Sequence, residues 1–223
     1  MPLLPLTLSA HASGWNPAGL KGREEGQISL LGGTCQFCGF GTAGWQSPFH
    51  VDGDHANANP GNVALACPLC HLCQHMDRPR IGQEAVLIWL PEVSQAATIA
   101  LARRIHLLLH AHGEPPHMER GRPLRSGRSL TAAWAAQLAL RARAKPAEER
   151  LGTSSPADFA TTLLALPPLA RARGSALLLG VRLLPLGRIF DGQHDAYPQM
   201  LDAWAALECS PSASTPAVPG AAT

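Results

Sequence analysis

Residues 35–75 read CQFCGFGTAGWQSPFHVDGDHANANPGNVALACPLCHLCQH and carry most of the recognisable chemistry of the chain. Cys35 and Cys38 form one C-x-x-C pair, and Cys67 and Cys70 form a second. At this spacing a tight knuckle turn presents two thiolates to one ion, and four thiolates suit tetrahedral zinc. Four protein ligands leave no position for water, so such an ion braces a fold and activates no nucleophile. The long interval between Cys38 and Cys67 exceeds ordinary finger spacing and implies an inserted element. The competing readings are buried free thiols or a disulfide pair, and a cytosolic chain does not keep disulfides. Cys73 and Cys209 are left over and are read as bystanders.

Between the two pairs, Pro48 to Asp52 reads as a strand, Gly53 as a turn, and Val63 to Ala66 as a second strand, which makes a hairpin. The second pair then feeds a helix beginning near Pro68 to His71 and running on past His75, with His71 and His75 at i and i+4 on one face. Hairpin, helix and clamp make a ββα unit. Leu3 to Leu8 alternates imperfectly and is expected as an edge strand, the only place that tolerates Pro2 and Pro5. On the other side, Ala85 to Leu90 is a short β-rich run stopped by Pro91, and Ser94 caps the helix that follows. His106 and His110 share a face of that helix and are read as a solvated pair without function.

Further on, Met118 to Arg128 is an Arg- and Gly-rich connector, and Leu130 to Ala144 an Ala-rich helix. Ser155-Pro156-Ala157-Asp158 opens a helix to about Leu166. Ala176 to Leu184 is a strand or a piece of helix, which periodicity does not separate. Tyr197 to Leu207 reads as an amphipathic helix, and the tail from Ser210 as disordered. The expected division is 1–113 for the zinc-bound unit with its N-terminal strand and long helix, 114–129 for a linker, 130–208 for a mostly helical extension, and 209–223 for the tail.

The 223 residues carry a formal net charge of only +2, so no global field draws the chain to nucleic acid or an acidic membrane. Met1 to Gly14 lacks the charged leader and apolar run of a signal peptide, and no apolar run reaches the roughly 18 residues of a spanning helix. The expectation is a soluble, cytoplasmic protein. No G-x-x-x-x-G-K-[ST] loop is present, so any ATP hydrolysis belongs to a partner.

His50-Val51-Asp52-Gly53-Asp54-His55-Ala56-Asn57, Pro60-Gly61-Asn62-Val63 and Cys67-Pro68-Leu69-Cys70-His71 together resemble the HNH family of ββα-metal nucleases. The resemblance implies His50 as general base, Asn62 as the brace of the hairpin loop, and His71 with His75 as cation ligands. Two departures count against nuclease activity. Phe49 stands where the family has a metal ligand, and residues 35–75 contain no Lys or Arg to neutralise phosphates, while Asp52 and Asp54 add negative charge.

The flanks are similar to a narrower family. Cys35-Gln36-Phe37-Cys38-Gly39-Phe40, the second knuckle, and Leu87-Ile88-Trp89-Leu90-Pro91-Glu92-Val93-Ser94-Gln95 resemble the IcmJ/DotN family of the Dot/Icm (type IVB) secretion system. That resemblance implies an α+β fold with an HNH-like ββα zinc-knuckle core and additional helices. It also implies a non-enzymatic adaptor that binds the C-terminal extension of a DotL-like coupling ATPase, helps recruit effectors and reaches the inner membrane only through the complex. Trp45, Phe49 and Trp89 are the expected aromatic anchors for such a partner, with Trp89 also read as core.

Overall fold

A computed structural model describes residues 3–10, 33–41, 44–54, 56, 57, 59–117, 127–167 and 178–208. The fold is α+β, built from helices and small antiparallel sheets. Strands β1 (Ser47–His50) and β2 (Val63–Ala66) form the expected hairpin, with His50 opposite Val63 and Ser47 opposite Ala66. Gly53 turns the chain at φ +77°, a conformation that costs only glycine nothing, and its N–H bonds to His50 C=O at 2.9 Å. Helix α1 (Pro68–His71) follows, with Pro68 in its first turn. It is shorter than the spacing of His71 and His75 implies, because Leu72–Gln74 tighten into a 3-10 turn.

Helix α2 (Ile81–Glu84) leads directly into β3 (Ala85–Trp89), and Ser94 Oγ then accepts from Ala97 N–H to start α3 (Gln95–Ala111). Helices α4 (Arg128–Ala142), α5 (Ala144–Leu151) and α6 (Pro156–Ala165) come next, and Ser155 Oγ caps α6 through Asp158 N–H. The chain returns as β4 (Val181–Pro185), turns through the short hairpin β5 (Phe190–Asp191) and β6 (His194–Asp195), and closes with α7 (Tyr197–Glu208).

The β3–β4 sheet is the partition of the molecule. Ala85 and Leu87 on β3 and Val181 and Leu183 on β4 face one apolar cluster, while Ile88 and Leu184 face the other. Burial on both faces explains why β3 reads as an unbroken apolar run and why β4 is interrupted only by Arg182, whose Nε donates to Val93 C=O at 2.6 Å. Helix α3 is also buried on two sides, giving Ile99 and Leu107 to the first cluster and Ala102, Ile105 and Leu109 to the second. The core thus draws on residues before and after 114–129.

A two-stranded sheet leaves two edges, and both are covered. On β3, Leu87 N–H bonds to Ser154 C=O at 2.9 Å and Trp89 N–H to Arg143 C=O at 3.0 Å. On β4, the Gln95 side chain stands in for a strand: its Oε1 accepts from Leu183 N–H and its Nε2 donates to Leu183 C=O, both at 2.8 Å. Gln95→Ala leaves that buried donor and acceptor unpaired. A loss of about 2–3 kcal/mol in denaturant unfolding is expected, the cost of two orphaned buried groups.

Three expectations need correction. Leu3 to Leu8 forms no strand and joins no ladder; the segment 3–10 is held by isolated bonds, such as Leu4 N–H to Gln36 C=O at 2.9 Å and Ser9 N–H to Cys73 C=O at 2.8 Å. Pro5, with no N–H, interrupts any continuous pairing. His106 is not solvated: two-sided burial of α3 leaves it fully enclosed, with Nδ1 2.8 Å from Tyr197 Oη. His110 stays partly exposed and pairs with Asp202 at 2.7 Å. Phe49 is not an exposed anchor but is 6% accessible, packed on Phe37 with ring centroids 4.5 Å apart. The expected tail from Ser210, with Cys209, His55 and the connector 118–126, lies outside the described residues.

Among the described residues, no helix is long and apolar enough to cross a membrane. Below α2 lies a buried ion pair, Arg78 Nε to Glu84 Oε2 at 2.9 Å. Glu84 Oε1 accepts from Phe190 N–H at 2.6 Å and Arg78 donates to Phe190 C=O at 2.8 Å, which fixes the β5–β6 hairpin to the core.

Candidate metal centre

The two C-x-x-C pairs converge. Sγ atoms of Cys35, Cys38, Cys67 and Cys70 all lie within 4.8 Å of one another, and these are the described residues whose His, Cys, Asp or Glu groups cluster tightly enough to hold a metal ion. Cys38 Sγ and Cys67 Sγ are 3.8 Å apart. A tetrahedron with metal–sulfur bonds of about 2.3 Å has an edge of about 3.8 Å, so the separation fits a tetrathiolate ion such as zinc. The five described cysteines form no disulfide.

Local structure accounts for the convergence. The first knuckle is closed by Gly39 N–H on Cys35 C=O at 2.9 Å and Cys35 N–H on Phe40 C=O at 2.8 Å. In the second, Cys67 is the N-cap of α1 and its Sγ accepts from Cys70 N–H at 3.5 Å. Gln36 ties the knuckles together, donating its N–H to Leu65 C=O at 2.8 Å and accepting Leu65 N–H on Oε1 at 3.0 Å. Cys73 is fully buried, bonds to Leu69 C=O at 3.9 Å and stays outside the group of four, as the sequence implies.

The four thiols do not ionise alike. Hydrogen bonds from Cys35, Cys67 and Cys70, joined by the charge of Arg103, hold Cys38 far below the usual thiol range. Cys67 and Cys70 are pushed well up, first by their hydrogen bonding with Cys35 and Cys38. Four thiolates this close cannot all form without a cation at their centre.

Arg103 is the contact to the cysteine cluster that sequence reading missed. Its Nη1 donates to Cys38 Sγ at 3.3 Å, and its guanidinium lies 3.7 Å from the Phe40 ring centroid. The signal was present: Ile99, Arg103 and Leu107 fall at i, i+4 and i+8, so a charge sits on a stripe otherwise turned to the core.

The histidines and Asn62 belong to the hairpin unit, His50 on β1, Asn62 just before β2, His71 at the end of α1 and His75 after the 3-10 turn. His50, His71 and His75 are 2%, 4% and 1% accessible, and the rings of His71 and His75 stand 4.9 Å apart. Asn62 braces the loop, accepting Asp52 N–H at 2.9 Å and donating to Asn57 C=O at 3.0 Å. The Phe49 ring lies 6.2 Å from that of His71. Trp45 and Trp89 are half-buried against the first cluster, Trp89 with the Arg150 guanidinium 4.2 Å from its ring centroid.

No protein-family model matches the chain. A curated relative, the type 4 apparatus protein DotN of Legionella pneumophila, is 38% identical over 65 residues. Over that segment the chain is similar to DotN. The aligned segment is 28% of this chain and 30% of DotN, so the similarity spans less than a third of either protein. It agrees with the resemblance to the IcmJ/DotN family carried by the knuckles and the Leu87–Gln95 segment.

Proposed function

We propose that this chain is a non-enzymatic, zinc-containing adaptor subunit of a type IVB secretion coupling complex, cytoplasmic and attached to the inner membrane only through that complex. Its partner is the C-terminal extension of a DotL-like coupling ATPase, and together they help recruit effectors. Zinc sits on Cys35, Cys38, Cys67 and Cys70 as a brace for the hairpin unit. The observation that carries the reading is a closed set of four thiols in a chain similar to DotN. With every tetrahedral position supplied by protein, the ion would have no place for substrate or water.

A second reading, a metal-dependent HNH endonuclease, is favoured by His50, Asn62, His71 and His75 around one hairpin and helix. Phe49 counts against it, because a ring without a lone pair fills the place beside the histidines. One experiment separates the two. With the ATPase tail as bait, Trp45→Ala is expected to weaken capture about tenfold and His50→Ala to leave it unchanged, since aromatic anchors carry a large share of interface energy. Plasmid nicking in magnesium, manganese or nickel that disappears in His50→Ala would replace the adaptor reading with the nuclease.

A further inference from the structure

A tetrathiolate zinc centre carries a net charge of about −2, and a buried anion of that size is costly unless something nearby offsets it. Residues 35–75, which supply all four ligands, contain no Lys or Arg. The compensation comes from elsewhere in the chain. Arg103, on α3, is only 8% accessible and reaches Cys38 Sγ at 3.3 Å. Cys38 is also the one ligand of the four with a side open to solvent, since Cys35, Cys67 and Cys70 are fully buried and Cys38 is not.

A ring contact fixes the guanidinium, and a second ring fixes the first. One face lies 3.7 Å from the centroid of Phe40, two residues after Cys38. Phe40 in turn meets Trp204 of α7 edge to face, centroids 5.4 Å apart, and Trp204 is fully buried. A planar fork that stacks on a ring while donating to sulfur is held in one pose, which a flexible ammonium is not.

We propose that Arg103 is the positioning residue of the metal centre: it offsets the charge of the bound thiolates, keeps the Cys38 arm attached, and thereby sets how fast the centre gives up its ion. The inference rests on zinc being held by the four cysteines. Without Arg103, Cys38 is the arm that detaches first, because it alone borders solvent and has lost its donor.

The test uses the full-length zinc-loaded protein and reads zinc transfer to a colorimetric chelator alongside mass-spectrometric mapping of cysteine alkylation by iodoacetamide. Arg103→Leu is expected to release zinc about 10- to 100-fold faster, the usual loss when a group supporting a metal ligand is removed. Cys38 should be alkylated before Cys35, Cys67 and Cys70. Arg103→Lys restores charge without the fork and should recover part of the wild-type behaviour, releasing zinc more slowly than Arg103→Leu but faster than wild type, a rescue that loss of packing alone would not give. Phe40→Leu keeps the cation but removes its platform and should fall between, which keeps the proposal testable if Arg103→Leu does not fold. Wild-type zinc release in Arg103→Leu, or in Phe40→Leu where the Leu variant is unfolded, overturns this inference alone. A wild-type protein that purifies without zinc overturns the metal assignment and this inference with it.

Discussion

Stripping the ion with a chelator, or replacing Cys67 with Ser, is expected to abolish the cooperative fold and not merely lower its stability. Cys35, Cys67 and Cys70 belong to the main apolar cluster together with Leu69, Leu72, Tyr197 and Trp204, so the centre lies inside the core and not on a peripheral finger. Apparent binding energies at structural zinc sites are about 10–16 kcal/mol, as large as the whole stability of an ordinary domain at about 5–15 kcal/mol. Cys67 is the most damaging single position because its sulfur caps α1 through Cys70 N–H and also closes on Cys38. Elemental analysis should return one zinc per chain, and thermal unfolding should lose its sharp transition in EDTA and in Cys67→Ser. Protein free of zinc, or a variant with unchanged metal content and melting temperature, would remove the centre from the account.

Acid is expected to destabilise the protein through His106 as well as through the cysteines. His106 is fully buried between α3, α4 and α7, with Nδ1 2.8 Å from Tyr197 Oη and Nε2 3.2 Å from Gln137 Nε2. Burial, with the positive charge of Arg141 adding to it, pushes its pKa down from 6.5 to about 3. Between those values the unfolded chain binds a proton that the folded chain refuses. Stability from this group is therefore fully present above 6.5, declines as pH falls, and is exhausted below about 3. At 1.36 kcal/mol per unit the whole interval is worth about 5 kcal/mol, and about 3 kcal/mol is gone by roughly pH 4.5. Denaturant unfolding of wild type and His106→Gln at pH 7.5 and 4.5 checks this, because protonation of the metal ligands is common to both and cancels. Wild type should lose about 3 kcal/mol more than the variant across that interval, and equal losses would show that His106 does not titrate with folding.

The readings that held were those whose physics is local. Cys35 with Cys38 and Cys67 with Cys70 converge because a knuckle turn needs only four residues. Ser94 and Ser155 start helices because a hydroxyl has only to reach an N–H three residues on. Gly53 turns the hairpin and Asn62 braces it within a loop of a dozen residues or so. Helix α5 was missed because Pro146 reads as a breaker, although in a first turn it removes no intrahelical hydrogen bond. The β5–β6 hairpin was missed because two-residue strands carry no alternation to read.

By itself, then, the sequence determined the chemistry of the ligand set, the ββα order around it, and the caps that begin α3 and α6. Only the tertiary structure decided what lies across the β3–β4 sheet, why β3 is apolar on both faces, that Phe49 turns into the core, that His106 is enclosed, and that Arg103 reaches Cys38. The division has one physical cause. A turn, a cap or a knuckle is specified by neighbours a few residues apart. Two-sided burial erases the periodicity that would announce it, and partners such as Cys38 and Arg103, or His106 and Tyr197, are joined only when the core closes around them.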